Sequence, residues 1–101
     1  MLVKLHISPA TLRNVPKRHL YARVAMLFAA YEPAISLVEI RLDQRTDQCF
    51  AGIFEIRFEP SSSNFDKVFE VTVLDLTLDE VIASGLARCQ KELLRRYRGV
   101  I

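Results

Sequence analysis

The sequence predicts an α+β fold: a two-layer sandwich in the order β-α-β-β-β-α, with a four-stranded, mostly antiparallel sheet and both helices on one face. Three observations predict it. Four segments alternate apolar and polar residues, the pattern of strands with one buried face. Two other segments repeat apolar residues every three or four positions, the pattern of a helix with one buried stripe. The later strand segments are joined by short connections, which favours an antiparallel meander. Two layers, helices on the apolar side of the sheet, cover all of these faces at once. The 101 residues, half of them hydrophobic, fit a single domain spanning 1–101.

Each element has its own local reason. In Leu2–Ser8, Val3, Leu5 and Ile7 point one way and Lys4 and His6 the other, and Ser8-Pro9 ends the strand. Asn14 and Pro16 mark a helix start, Asn14 near the N-cap and Pro16 in the first turn, where a missing N–H costs nothing. Leu20, Val24, Leu27, Phe28 and Tyr31 form its apolar face, and Pro33 is expected to stop it. Ile35–Asp43 alternates with Val38, Ile40 and Leu42 inward, and Asp43–Gln48 reads as a polar loop. Phe50–Glu59 turns Phe54, Ile56 and Phe58 inward. After the turn-rich Pro60–Asn64, Lys67–Leu74 does the same with Phe69, Val71 and Val73. Thr77-Leu78-Asp79-Glu80 matches a capping box, and its acids suit the positive end of the helix dipole. The second helix is expected to reach about Tyr97, burying Val81, Ile82, Gly85, Leu86, Cys89, Leu93 and Tyr97, with Gly99 as the stop.

Composition narrows the function classes. No apolar run is long enough to span a bilayer, and Met1–Ser8 interrupts its apolar residues with Lys4 and His6, unlike a signal peptide. A cytoplasmic protein without membrane attachment is expected. Cys49 and Cys89 stand forty positions apart with no metal-type spacing, so both read as reduced thiols, Cys89 buried. There is no glycine-rich phosphate loop, no nucleophile signature and no metal-ligand spacing. The histidines, His6 and His19, have no acid close in sequence. Glu39, Glu55, Glu59 and Glu70 alternate with Arg41 and Arg57, which suggests cross-strand ion pairs on the open sheet face. The reading is not an enzyme, with no cofactor and no metal.

Charge is sorted along the chain. Residues 1–31 hold five Lys/Arg and no acid; residues 32–87 hold four against eleven; residues 88–101 hold five against Glu92 alone. The net charge of +2 hides this pattern, in which the helical ends are basic. On the second helix Arg88, Lys91, Arg95 and Arg98 follow steps of three, four and three, which keep them on one stripe at about 100° per residue. Glu92 reads as rotated away from that stripe. Part of the stripe complements the negative helix end, and a solvated basic face is common. The second cluster, Lys17, Arg18 and Arg23 on the first helix, favours a polyanion lying across both helices. The candidate RNA-binding residues are therefore Lys17, Arg18, Arg23, Arg88, Lys91, Arg95, Arg96 and Arg98.

These residues also carry a resemblance. Val81-Ile82, Arg88-Cys89, Lys91-Glu92-Leu93 and the basic Arg95, Arg96 and Arg98 resemble the last helix of the ribosome hibernation-promoting factors, also called ribosome-associated inhibitor A or sigma-54 modulation proteins. "HLYARVAMLFAAY" stands where that family has a Lys-Leu-x-x-Leu-x-x-Tyr pattern, with Arg23 at its lysine, and "ISLVEIRL" stands at its second strand. The likeness covers nearly the whole chain and is to the short, single-domain type. It implies a ligand in small-subunit rRNA, lodged between head and body where mRNA and tRNAs would sit, and inhibition of translation by occupancy.

Two other readings stay open. The outer side of the first helix, Ala22, Ala25, Met26, Ala29 and Ala30, is smooth enough for close approach of another protein, so a protein-interaction module or a weak homodimer through this face is the main alternative. Helix propensity alone also favours such a surface. A double-stranded-RNA-binding module shares two helices on a sheet, but the leading strand Leu2–Ser8 argues against it.

Overall fold

The computed structural model describes residues 1–8, 11, 16–46, 49–59 and 68–96. Its elements are β1 (Leu2–Ile7), α1 (Lys17–Leu27), a 3-10 turn (Ala29–Tyr31), β2 (Ile35–Thr46), β3 (Cys49–Phe58), β4 (Val68–Asp75) and α2 (Leu78–Arg96). The expected order and class are those observed. The strands lie in the order β1-β2-β3-β4. β1 pairs parallel with β2, and β2, β3 and β4 form an antiparallel meander. Asn14, the Pro60–Asn64 connection, Tyr97, Arg98 and Gly99 lie outside the described residues.

Alternation decides which side of each strand is buried. Val38, Ile40 and Leu42 of β2, Phe54, Ile56 and Phe58 of β3, and Phe69 and Val73 of β4 form one apolar sheet face. α1 covers it with Leu20 and Val24, followed by Phe28 and Tyr31; α2 covers it with Leu78, Val81, Ile82, Leu86, Cys89 and Leu93. All of these belong to one hydrophobic core. α1 sits over β1, and α2 over β3 and β4, so the helices occupy opposite halves of the sheet.

Three boundaries differ from expectation: α1 begins at Lys17 with Pro16 at its N-cap and not in its first turn, and two further ends are shifted. α1 ends at Leu27, well before Pro33. The Phe28 N–H still bonds to the Val24 carbonyl at 3.1 Å, and the Tyr31 N–H then bonds to the Phe28 carbonyl at 3.0 Å. The 3-10 turn keeps Phe28 and Tyr31 in the core, on the stripe begun by Leu20 and Val24, while the chain turns toward β2. β2 continues to Thr46, into the expected polar loop, pairing Asp43 with Ala51 and Gln44 with Phe50. Asp43, Gln44 and Arg45 are exposed, so their polarity is compatible with pairing at the end of a hairpin.

Two glycines set how closely α2 approaches β3. A Cβ on Gly85 would lie 2.1 Å from the Phe54 ring, and one on Gly52 would lie 2.6 Å from Val81 and 2.7 Å from Phe54. The Phe54 ring thus fills the space that side chains at both positions would need.

Candidate nucleic-acid interface

α2 begins as its sequence suggests, with one difference. The Thr77 hydroxyl accepts the Glu80 N–H at 3.1 Å, satisfying one orphan donor of the first turn. The Glu80 carboxyl turns to Asp75 instead of reaching back to the Thr77 N–H, so only half of the capping box forms. The contact holds Asp75 below its usual carboxylate range, where the Glu80 carboxyl and the Leu76 N–H both bond to it. Glu80 is raised, through its hydrogen bond to Asp75 and the charge there.

Arg88, Lys91 and Arg95 all emerge exposed, as their spacing requires. Arg88 Nη1 donates to the Thr72 carbonyl at 3.4 Å, on the outermost strand β4. Lys91 has no ion-pair partner among the described residues. Arg95 is 69 % exposed but pairs with Glu92: its Nε donates to Oε2 at 3.2 Å, and its Nη2 donates to Oε1. Glu92 is therefore not turned away from the stripe. Residues three and four apart on a helix meet, and Glu92 stands at those spacings from Arg95 and Arg96.

Arg96 behaves differently from its neighbours. Its side chain is only 15 % exposed, its Nε donates to Glu92 Oε1 at 2.9 Å, and its guanidinium carbon lies 5.0 Å from the Phe69 ring centroid. One of the candidate RNA-binding cations thus packs against the sheet, a cation–π contact over an apolar edge. Arg95 and Arg96 together hold Glu92 below its ordinary carboxyl range, Arg95 contributing most.

Lys17, Arg18 and Arg23 are exposed on α1, without ion-pair partners among the described residues. They do not form one stripe. At about 100° per residue Arg18 is about 100° from Lys17, and Arg23 about 140° from Arg18. Nor do they lie level with the basic end of α2. Arg96 lies over Phe69 near the start of β4, so α2 runs back along β4. Glu32, just beyond α1, is 3.9 Å from the Met1 amine at the start of β1, so α1 runs back along β1. β1, β2 and β4 share one direction, so the helices are parallel and begin at the same end of the sheet. Lys17 and Arg18 stand at the end where Asp79 and Glu80 open α2, while Lys91 and Arg95 stand toward the other end. The basic groups are staggered across the helical layer.

The opposite sheet face is closely paired. Register places Glu39, Glu55 and Glu70 in one row across β2, β3 and β4. Like charges directly opposite repel, and two of the three carboxylates, Glu39 and Glu55, are paired with a base on the same face. Arg41 reaches Glu39 at 3.6 Å and Arg57 reaches Glu55 at 2.8 Å, each along its own strand rather than across strands. The cross-strand partner is His6, whose Nε2 lies 2.7 Å from Glu39. Sequence reasoning missed this contact, because only the parallel register of β1 and β2 brings residues 33 apart together. Glu39 is lowered, chiefly by the His6 hydrogen bond and also by Arg41.

No group of three potential metal ligands occurs among the described residues. No described helix is long and apolar enough to cross a membrane.

This chain has the fold of a ribosomal subunit interface protein. A solved structure of a ribosomal subunit interface protein, from Coxiella burnetii, matches it with a TM-score of 0.64 at 13 % sequence identity, covering 94 % of this chain and 96 % of the other. No protein-family model matches the chain, and no curated protein matches it in sequence. At that identity the likeness establishes the fold, and the chemistry must be argued from this chain's own surface.

Proposed function

We propose that this protein is a cytoplasmic, non-enzymatic ribosome ligand that binds small-subunit rRNA through the helical layer and inhibits translation by occupying the mRNA and tRNA channel. One observation carries the reading: in the fold of a ribosomal subunit interface protein, Arg88, Lys91 and Arg95 present an exposed basic stripe on α2, with Lys17, Arg18 and Arg23 exposed on α1. Phosphate contacts of this type supply affinity with little base reading. The resemblance of the α2 motifs to hibernation-promoting factors supports the same function, as a single domain over 1–101. Arg98 is part of the proposed contact by its sequence spacing.

The test is sedimentation of purified protein with small ribosomal subunits at low and moderate salt. Wild type is expected to co-migrate and to be released as salt rises. The Arg88→Glu, Lys91→Glu, Arg95→Glu variant should remain at the top of the gradient while keeping its circular dichroism spectrum. Undiminished binding by the folded variant would rule out α2 as the contact.

A second reading has its own observation. Met26 is 81 % exposed, with the exposed Ala22 and Ala25 of α1 and Ala29 and Ala30 of the 3-10 turn. On this reading the face joins two copies, and sedimentation equilibrium would give a dimer that Met26→Lys disperses.

A further inference from the structure

We infer that Glu92 is a built-in competitor for polyanions: it occupies the guanidinium fork of Arg95 and so sets how strong an anion must be to engage α2. The inference rests on the proposed rRNA reading for its biological ligand, but its geometry stands independently. Arg95 offers Nε and Nη2 to the two oxygens of one carboxylate. This side-by-side pairing is the arrangement in which a guanidinium binds a phosphate, so carboxylate and phosphate exclude one another at that fork.

The two arginines on Glu92 have different roles. Arg96 is mostly buried, fixed between Glu92 and the Phe69 ring, and anchors the carboxylate. Arg95 is mostly exposed and can exchange one anion for another. Lys91, one step back along the stripe, and Arg88 have no carboxylate among the described residues. Engagement of α2 would thus begin at Arg88 and Lys91, and Arg95 would join only when the arriving phosphate displaces Glu92. The internal anion is tethered and always present, so it discriminates against weakly held, isolated anions and in favour of a dense phosphate array.

The variant Glu92→Gln keeps the side chain's length and removes its charge. Asp79→Asn, on the same helix but far from Arg95, makes the same change in net charge and serves as the control. On a heparin column, Glu92→Gln should elute at clearly higher salt than Asp79→Asn. That excess should disappear when both changes are placed in an Arg95→Gln background, because the effect is routed through Arg95. With small ribosomal subunits, Glu92→Gln should bind several-fold more tightly than wild type, and its log-affinity against log-salt slope should steepen by about one contact's worth, about 0.7 to 0.9. Equal elution of Glu92→Gln and Asp79→Asn overturns the inference, as does an excess that survives Arg95→Gln. If no variant binds small subunits while the heparin difference holds, the rRNA reading fails and the competitor role stands. Unchanged melting of Glu92→Gln would show that the Arg96–Phe69 anchor survives; if it melts lower, the column comparison is repeated with Glu92→Asp, which retains the charge and should elute with wild type.

Discussion

Phe54 shows how much one side chain can fix. Its ring lies where a Cβ on Gly85 would fall, so the close approach of α2 to β3 depends on having no side chain there. Gly85→Ala gains about 1 kcal/mol of helix propensity. It forces the ring to move in a packed core, at a cost of about 1–3 kcal/mol. A net destabilisation is expected by chemical denaturation, and Phe54→Leu should reduce it, giving a double mutant less unstable than the sum. The cysteines divide by the same criterion of space. Cys89 is fully enclosed, and burial pushes its thiol up to about 12. A thiol reagent should therefore modify Cys49, which is half-buried, in the native protein, and reach Cys89 only after unfolding. Gly85 and Cys89 were both legible as buried because each falls on the apolar stripe of α2. That Phe54 is the partner was not legible, since periodicity gives a face and not the residue opposite it.

Within elements, ion pairs fix how charge is presented. Glu39 and Glu92 both have carboxyls lowered in the folded protein, so each contributes stability above the ordinary glutamate value. That contribution is lost as pH falls through their folded values. Glu80 has the opposite sign: raised beside Asp75, it costs stability once ionised. Unfolding midpoints measured from neutral pH downward should fall less steeply for Glu39→Gln than for wild type, and Glu80→Gln should be relatively more stable at neutral pH than in acid. The strands and helices were largely readable from alternation and stepping, because burial on one side imposes those periods. The ends were less so: α1 gives way after Leu27 to a 3-10 turn, although Phe28 and Tyr31 continue its buried stripe, and nothing local in the sequence marks that change of period. Glu92 shows a different limit. Its spacing to Arg95 and Arg96 was visible in the sequence, and at about 100° per residue it stands about 60° and 40° from them, so the expectation that it was rotated away did not follow from the helix period.

For the whole molecule, the parallel helices stagger two basic groups over the sheet. If a nucleic acid engages both, the salt dependence of small-subunit binding should reflect contributions from each, at about 0.7 to 0.9 in slope per phosphate contact. Reversing Lys17, Arg18 and Arg23 together should flatten the slope without abolishing binding, whereas reversing the α2 stripe should remove binding; a titration across salt concentrations separates the two. The connection order has a consequence during synthesis as well. β3 and β4 are made before α2, the helix that covers them. At about 5–20 residues per second, the α2 segment takes roughly 1–4 s to be made. Through that interval the inward side chains of the nascent meander, Phe54, Ile56, Phe69 and Val73, lack their lid, which makes the half-made chain a natural client for chaperones that bind exposed apolar strands.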